Sequence, residues 1–330
     1  MALWSRIYYN AVFGGLGGLV GWMLFGVFGN RSASGESALL FFTYQDFNSM
    51  LGGALVGIAI GYFVVSVEAI RDLSPVRFAR LASYGALLSW FGGALGMYVG
   101  DQVNYGLIYA VGKVVDLNEH PAVGELVFIP SRGIGWSLLG IAIGASEGIA
   151  ARSLGKFSYG TIGGLIGGFI GGVLFQILYS GAMRIGSTTY FGNALGLVIL
   201  GACIGSLTAF VQAVFLPANV KVLRGWQEGR EYPLDKPASL LGRDEHADIA
   251  LFRDMRVEKK HAYIKRIGKA YVLYNNGAPP GYTLVNDVPV TDSRELNDGD
   301  RIQLGNIILR FQLRAAVIRA RKPRPLPAGS

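Results

Sequence analysis

The chain has 330 residues, a formal net charge of +8 and 48 glycines, and it is 51% hydrophobic but only 16% charged. Soluble domains average about 25% charged residues, so this composition excludes a chain that is soluble throughout. The single cysteine, Cys203, excludes a disulfide framework within one chain. Three histidines, with no pair on one helix face, argue against a zinc site, so neither a metal nor another cofactor is expected.

Charge divides the chain into two parts. Residues 1–215 contain 10 Lys or Arg and 9 Asp or Glu, whereas residues 216–330 contain 20 and 13. This distribution predicts an apolar membrane domain over 1–215, a linker over 216–220, a soluble domain over 221–315 and a basic, proline-rich, flexible tail over 316–330.

Six apolar stretches in the first part approach or reach the roughly 20 residues that a helix needs to cross a bilayer. They are Tyr8–Phe28, Ser49–Ile70, Leu81–Gly100, Gly133–Ile149, Ser158–Ser180 and Gly192–Phe215. Residues 101–132 are predicted to form a long external loop with a short helix at Tyr105–Val115. The sequence therefore predicts an all-α membrane bundle of six helices.

The six spans resemble three copies of a helical hairpin. The second helix of each copy contains a G-x-x-I-G motif, at Gly57–Gly61, Gly140–Gly144 and Gly201–Gly205. Glycines four residues apart share a helix face, and such a glycine zipper lets two helices approach closely. This surface suits packing within the bundle, self-association of the chain or the lining of a pore, and the sequence leaves these alternatives open.

Basic residues set the expected orientation. With the N-terminus inside, the cytoplasmic segments carry Arg6, Arg71, Arg77, Arg80, Arg152 and Lys156. The positive-inside rule then puts both termini in the cytoplasm. Glu68 and Glu147 are the acidic residues within the predicted spans, and we expect them to pair with nearby Arg71 and Arg152. Because no span has a proline or a mid-span Asp, Lys or His, a coupled transporter is not expected.

The second part is predicted to form an all-β sandwich. Short runs rich in β-branched and aromatic residues alternate with Gly, Asn, Asp and Pro. The runs include SLL before Gly242, LF at 251–252, HAYI at 261–264, YVLYNN at 271–276, YTLVN at 282–286 and LNDGDRIQLGNIILRF at 296–311.

Several landmarks in this part follow a known order: Gly242-Arg243, then His261-Ala262, then Val285-Asn286, then the D-G-D-x-I-x-L-G string at 298–305. Residues 221–315 therefore resemble the forkhead-associated (FHA) domain, a phosphothreonine-binding β-sandwich. The resemblance implies that Arg243 contacts the phosphate, for which a planar guanidinium is well suited. It also implies that Gly242, His261 and Asn286 support the site.

Two positions depart from the family pattern. Glu258 stands where the family has a serine, and Pro280 or Gly281 stands where it has an asparagine. A carboxylate repels phosphate, and a proline offers no donor. In one alternative Glu258 pairs with Arg243 and fills the site. In the other, replacement positive charge comes from Lys259, Lys260, His246 and Arg253. The sequence leaves open whether the partner is phosphorylated.

The sequence contains no recognisable catalytic motif, so an enzyme is not expected. We expect an integral protein of a bacterial inner membrane whose FHA-like domain recruits a phosphothreonine-containing protein, or an unphosphorylated one, to the cytoplasmic face. A channel regulated by this domain and a self-associating scaffold, in which the chain forms a homo-oligomer, are the alternatives. The basic second part also predicts contact with the lipid bilayer, and nucleic acid is not an expected partner.

Overall fold

The computed structural model describes residues 3–28, 44–72, 75–117, 119–184, 186, 189–244, 246–279 and 281–313. The predicted tail, 316–330, lies outside the described residues. The chain divides into two compact units, one from Ala2 to Val214 and one formed mainly by Phe215–Ser330. Each unit has its own hydrophobic core.

The first unit contains six described helices. They are Leu3–Phe28 (α1), Tyr44–Asp72 (α2), Pro75–Gly112 (α3), Pro121–Ala151 (α4), Leu154–Arg184 (α5) and Thr189–Phe215 (α6). Five of them contain segments long and apolar enough to cross a membrane: Trp4–Gly26, Gln45–Ile70, Ala122–Ala151, Leu154–Arg184 and Phe191–Phe215. The third predicted span, Leu81–Gly100, is helical within α3, but α3 is not among these five helices.

Residues 105–112 are helical as predicted, but they continue α3 without a break to Gly112 and do not form a separate short helix. Contacts with α4 stabilise this extension. The hydroxyl of Ser131 donates to Asn104 Oδ1 at 3.4 Å, and Arg132 forms an ion pair with Asp101 at 3.4 Å. Helix α4 in turn starts at Pro121, where the missing N–H of proline costs no helical hydrogen bond.

Glycines form the closest helix contacts, and these contacts recur at three interfaces. A Cβ added to Gly57 on α2 would overlap the carbonyl oxygen of Ser89 on α3, and one added to Gly140 on α4 would overlap that of Gly164 on α5. A Cβ on Gly201 of α6 would likewise overlap the carbonyl oxygen of Gly14 on α1. Glycines also lie against the next helix at the other three interfaces, through Gly17 on α1, Gly96 on α3 and Gly163 on α5, so the six helices form a closed ring.

Aliphatic side chains of α2, α4 and α6 fill the interior of this ring. Ile60, Ile143 and Ile204 are each at most 1% exposed, and Val56, Leu139 and Leu200 belong to the same core cluster. In each of the three helices, one side chain is the isoleucine of the G-x-x-I-G motif and the other lies four residues before it. The described residues therefore pack the interior with hydrocarbon.

A network of charged and polar side chains joins five helices at one end of the bundle. Arg6 on α1 donates to Glu68 on α2 and to Gln212 on α6, each at 2.9 Å. Lys156 on α5 donates to Glu68 at 2.5 Å and to Glu147 on α4 at 3.3 Å. Gln212 donates to Glu147 at 2.7 Å. Two cations and two carboxylates thus compensate one another.

The predicted pairing of Glu147 with Arg152 is wrong, and the side chain of Arg71, the predicted partner of Glu68, lies outside the described residues. Among the described residues, Glu68 and Glu147 form ion pairs with Arg6 and Lys156. Glu147 and Lys156 are each only 7% exposed, so the carboxylate of α4 points into the bundle, where partners come from other helices.

The second unit is a sandwich of two β-sheets. Its strands are Ala218–Arg224 (β1), Glu231–Pro233 (β2), Ala238–Gly242 (β3), Ile249–Ala250 (β4), Ala262–Ile267 (β5), Ala270–Asn275 (β6), Thr283–Val285 (β7), Val288–Pro289 (β8), Ser293–Leu296 (β9), Arg301–Leu304 (β10) and Ile307–Leu313 (β11). One sheet has the order β2-β1-β11-β10-β7-β8, and the other β4-β3-β5-β6-β9. The core between the sheets includes Val220, Leu241, Ile264 and Phe311, each of which is at most 1% exposed. Strand β1 begins at Ala218, inside the stretch predicted as a linker.

The two ends of the sandwich differ in the segments they carry. The loop end includes the connections β3–β4, β4–β5 and β6–β7. The junction end carries Ala218, where the chain enters from α6, and the β5–β6 turn. Ala218 pairs with Leu313 at the end of β11, whereas Thr283 pairs with Leu304, just before the turn that leads into the start of β11. Ala218 and Thr283 therefore lie at opposite ends of the sandwich.

Candidate functional site

The loop end brings the β3–β4 and β4–β5 connections into direct backbone contact at Gly242. A Cβ on Gly242 would overlap the carbonyl oxygen of Lys259, so this position requires glycine. The next two residues continue the contact, since Arg243 N–H donates to Glu258 O at 2.9 Å and Asp244 N–H donates to Lys259 O at 3.2 Å. The side chains of Arg243 and Glu258 therefore emerge from paired backbone positions.

The guanidinium of Arg243 is held along the β4–β5 loop. Its Nε–H donates to Val257 O at 3.2 Å, and an Nη1–H contacts Met255 Sδ at 3.2 Å. A guanidinium has five N–H donors, so most of them are not used by these two contacts. Among the described residues, no carboxylate forms an ion pair with Arg243. In particular, the alternative pairing with Glu258 does not occur, and Glu258 is exposed.

The other basic residues at the loop end differ in whether they already have a partner. Lys259 and Lys260 are exposed. His246 is paired with Asp244, whose Oδ1 accepts the backbone N–H of His246 at 2.8 Å and lies 3.0 Å from its Nδ1. These hydrogen bonds, the backbone one first, lower the pKa of Asp244. His246 thus already has an anionic partner.

Arg253 and Asn286, which the sequence also suggested for the site, make contacts that are not part of it. The guanidinium carbon of Arg253 lies 4.3 Å from the centre of the Trp226 ring, in a cation–π contact. Asn286 lies at the junction end, where its Nδ2 donates to Asp300 and its Oδ1 accepts Arg301 N–H, each at 2.9 Å. Gly281 is exposed with a φ of +82°, and Pro280 lies outside the described residues.

A buried chain of hydrogen bonds runs from His261 to the β6–β7 loop. His261 is 0% exposed. Its Nδ1 accepts the N–H of Glu258 at 3.0 Å, so Nε2 carries the proton that faces Thr283 Oγ1 at 3.0 Å. Thr283 donates to Asn275 Oδ1 at 3.0 Å, and Asn275 Nδ2 donates to Ala278 O at 3.2 Å. Burial lowers the pKa of His261, which keeps the ring neutral.

Sequence reasoning missed several residues that shape this end. Asn276 fixes the loop on the other side, because its Nδ2 donates to Lys260 O at 2.8 Å. Met255 contacts Arg243, and Thr283 with Asn275 continues the His261 chain. The adjacent asparagines of YNN, after a run of strand residues, were the one available signal, since asparagine side chains often bond neighbouring backbone.

Comparison with known proteins agrees with this architecture. A family model described as "Inner membrane component of T3SS, cytoplasmic domain" matches residues 221–315. An oxoglutarate dehydrogenase inhibitor of Corynebacterium diphtheriae is 34% identical over 110 residues, which are 32% of this chain and 75% of that protein. The glycogen accumulation regulator GarA of Mycolicibacterium smegmatis is 37% identical over 94 residues, 28% of this chain and 58% of that protein. The FHA domain of an Arabidopsis thaliana protein, solved in solution, is 25% identical with a TM-score of 0.28, covering 30% of this chain and 87% of that one.

The chain belongs to the FHA family. Its FHA domain follows a glycine-rich bundle of apolar helices, as predicted from the sequence. A solved structure described as a "Structural and functional analysis of phosphothreonine-dependent FHA domain interactions" is 26% identical, with a TM-score of 0.27, and the match covers 30% of this chain and 97% of that one. The loop end described above is the end at which the FHA landmarks Gly242, Arg243 and His261 meet.

Proposed function

We propose that this chain is a membrane-anchored adaptor whose FHA domain binds a phosphothreonine-containing protein at the cytoplasmic face of the membrane. One observation carries the proposal. Arg243 is held at the loop end by Val257 and Met255 but forms no ion pair with a described carboxylate. A guanidinium in this state has N–H donors to offer to phosphate.

The neighbouring charges modulate this affinity. Lys259 and Lys260 add positive charge at the loop end. Glu258, which is exposed and forms no ion pair among the described residues, adds negative charge that repels the phosphate. The site should therefore bind phosphothreonine more weakly than one with serine at position 258.

The proposal is tested by titrating the full chain in detergent with a degenerate peptide library fixed at phosphothreonine and with the same library fixed at threonine. We expect binding of the phosphorylated library and little binding of the other. Equal binding of both libraries, or binding of neither, would refute phosphate recognition. Equal binding would instead support the alternative of an unphosphorylated partner.

A matched pair of charge variants tests the role of Glu258. Glu258→Gln should strengthen phosphopeptide binding by up to roughly fivefold, the range of an exposed charge–charge interaction. Glu295→Gln removes the same charge from β9 and should leave the affinity unchanged. An unchanged affinity in Glu258→Gln would show that this carboxylate lies outside the field of the phosphate.

The bundle serves as the anchor in this proposal, with both termini in the cytoplasm. The interior packed by Ile60, Ile143 and Ile204 favours an anchor over a permeation element. The glycine faces support packing within the ring, as the contacts of Gly57, Gly140 and Gly201 indicate. A label that does not cross membranes should react with either terminus only after the cells are opened. Labelling of either terminus in intact cells would refute this topology.

A further inference from the structure

The β5–β6 hairpin has an exposed tip that combines positive charge with an aliphatic side chain. Lys265, Arg266, Ile267, Gly268 and Lys269 are all exposed, and the Ile267 side chain is 55% exposed. Gly268, with a φ of +61°, makes the turn tight and places Ile267 opposite Ala270. Among the described residues, none of these three cations forms an ion pair.

Backbone hydrogen bonds place this hairpin beside the point where the chain enters the sandwich. Leu234 N–H donates to Ala218 O at 3.0 Å, and Arg266 N–H donates to Pro237 O at 2.8 Å. The connection 234–237 therefore links the start of β1 to the hairpin. Four residues span at most about 14 Å.

The start of β1 is itself tied to an apolar helix. Helix α6 ends at Phe215, and only Leu216 and Pro217 separate it from Ala218. Where α6 crosses a membrane, the junction end of the sandwich is held within a few residues of its surface. The hairpin thus places three cations at the same end of the sandwich as that tether.

Carboxylates also occur at the junction end: Asp287 in the β7–β8 turn is exposed, whereas those of the β9–β10 turn are engaged in hydrogen bonds. Asp298 Oδ1 accepts Leu313 N–H at 2.7 Å. Asp300 accepts Asn297 N–H at 2.7 Å and an Asn286 N–H at 2.9 Å. This turn follows β9, on the far side of β6 from β5.

We propose that the β5–β6 hairpin docks on the bilayer, with Lys265, Arg266 and Lys269 on anionic lipid headgroups and Ile267 in the headgroup–acyl boundary. Basic residues near a membrane attract anionic lipid, and an aliphatic side chain gains by burial at the boundary. Docking would leave the loop end, at the opposite end of the sandwich, accessible to protein partners. The inference rests on the proposed membrane anchoring and is independent of phosphate recognition.

Site-specific fluorescence in nanodiscs tests this docking. With Cys203→Ala removing the native cysteine, an environment-sensitive dye is attached through Ile267→Cys or, as a control at the loop end, through Met255→Cys. In nanodiscs that contain anionic lipid with brominated acyl chains, the dye at position 267 should be blue-shifted and quenched, and the dye at 255 should be neither. Combining Lys265→Gln, Arg266→Gln and Lys269→Gln should abolish the quenching.

The other outcomes each overturn the proposal. No quenching at position 267 in a chain that has entered the nanodiscs would rule out lipid docking while leaving the anchor intact. A blue shift without quenching would show that protein covers the hairpin. Quenching that survives removal of the three charges would rule out headgroup recognition. Failure of the chain to enter nanodiscs would instead refute the anchor itself.

Discussion

At the scale of the residue, His261 couples the β4–β5 and β6–β7 loops at the loop end of the sandwich. Its Nδ1 accepts Glu258 N–H from one loop, and its Nε2 faces Thr283, which leads to Asn275 and the other loop. The Nδ1 contact needs a neutral ring, whose single proton is then on Nε2 and faces Thr283. Protonation would turn Nδ1 into a donor facing a donor, so the geometry of the site depends on pH.

The stability of the FHA domain should fall in mild acid because of this residue. Burial lowers the pKa of His261 below its ordinary 6.5, so between these two values the unfolded chain binds a proton that the folded domain excludes. The free energy of unfolding should therefore be level above about pH 7.5 and fall as the pH drops below 6.5. Urea titrations of the chain between about pH 5.5 and 7.5, above the range of ordinary carboxylates, measure this slope.

Two histidine variants separate this effect from general acid sensitivity. His261→Gln should remove the slope, at a cost of about 1–3 kcal/mol from the buried N–H and hydroxyl that lose their partner. His246→Gln, which alters an exposed ring, should retain the slope. A slope that persists in His261→Gln would assign the titration to another group.

At the scale of the element, two kinds of contact hold the helices. Glycine faces allow backbones to touch, and the network of Arg6, Glu68, Glu147, Lys156 and Gln212 joins five helices at one end. Helix α4 carries both kinds of contact and also offers a matched control for each.

Gly140 on α4 should not tolerate a methyl group. A Cβ there would overlap the carbonyl oxygen of Gly164, and overpacking of this kind costs about 1–3 kcal/mol. Gly140→Ala should therefore lower the thermal unfolding temperature in detergent. Gly124 lies on the same helix, and a Cβ added there would meet nothing within 4 Å. Gly124→Ala should therefore raise the unfolding temperature slightly, because alanine is the better helix former. Equal effects would argue against close packing at Gly140.

Glu147 should contribute far more to stability than Glu125 on the same helix. Removing one partner of a buried ion pair costs about 3 kcal/mol or more, whereas an exposed pair contributes about 0–1 kcal/mol. Glu147→Gln leaves the buried Lys156 with Glu68 alone. Glu125→Gln breaks an ion pair with Arg184 in which both side chains are at least 50% exposed. Thermal unfolding in detergent compares the two, and a smaller loss for Glu147→Gln would contradict the network.

At the scale of the whole molecule, sequence patterns were sufficient for the two-part architecture. Apolar length and uneven charge predicted the helices, and the spacing of Gly242, Arg243 and His261 predicted the FHA domain. Patterns along the chain could not identify the partners of Glu68 and Glu147, because those partners lie on other helices. Nor could they indicate Met255 or Asn276, whose roles arise only where loops meet. Closure of the ring, through Gly14 and Gly201, likewise depends on contacts between distant segments.

The most direct test of the account compares two arginines at the loop end, only one of which is proposed to bind phosphate. Arg243→Ala removes the guanidinium proposed to bind phosphate, and Arg253→Ala removes one that is stacked on Trp226. Calorimetric titration of both full-length variants with the phosphothreonine library should show at least roughly tenfold weaker binding for Arg243→Ala, the value of one charge-assisted hydrogen bond. Arg253→Ala should bind as the native chain does. Undiminished binding by Arg243→Ala would contradict phosphate recognition at the loop end.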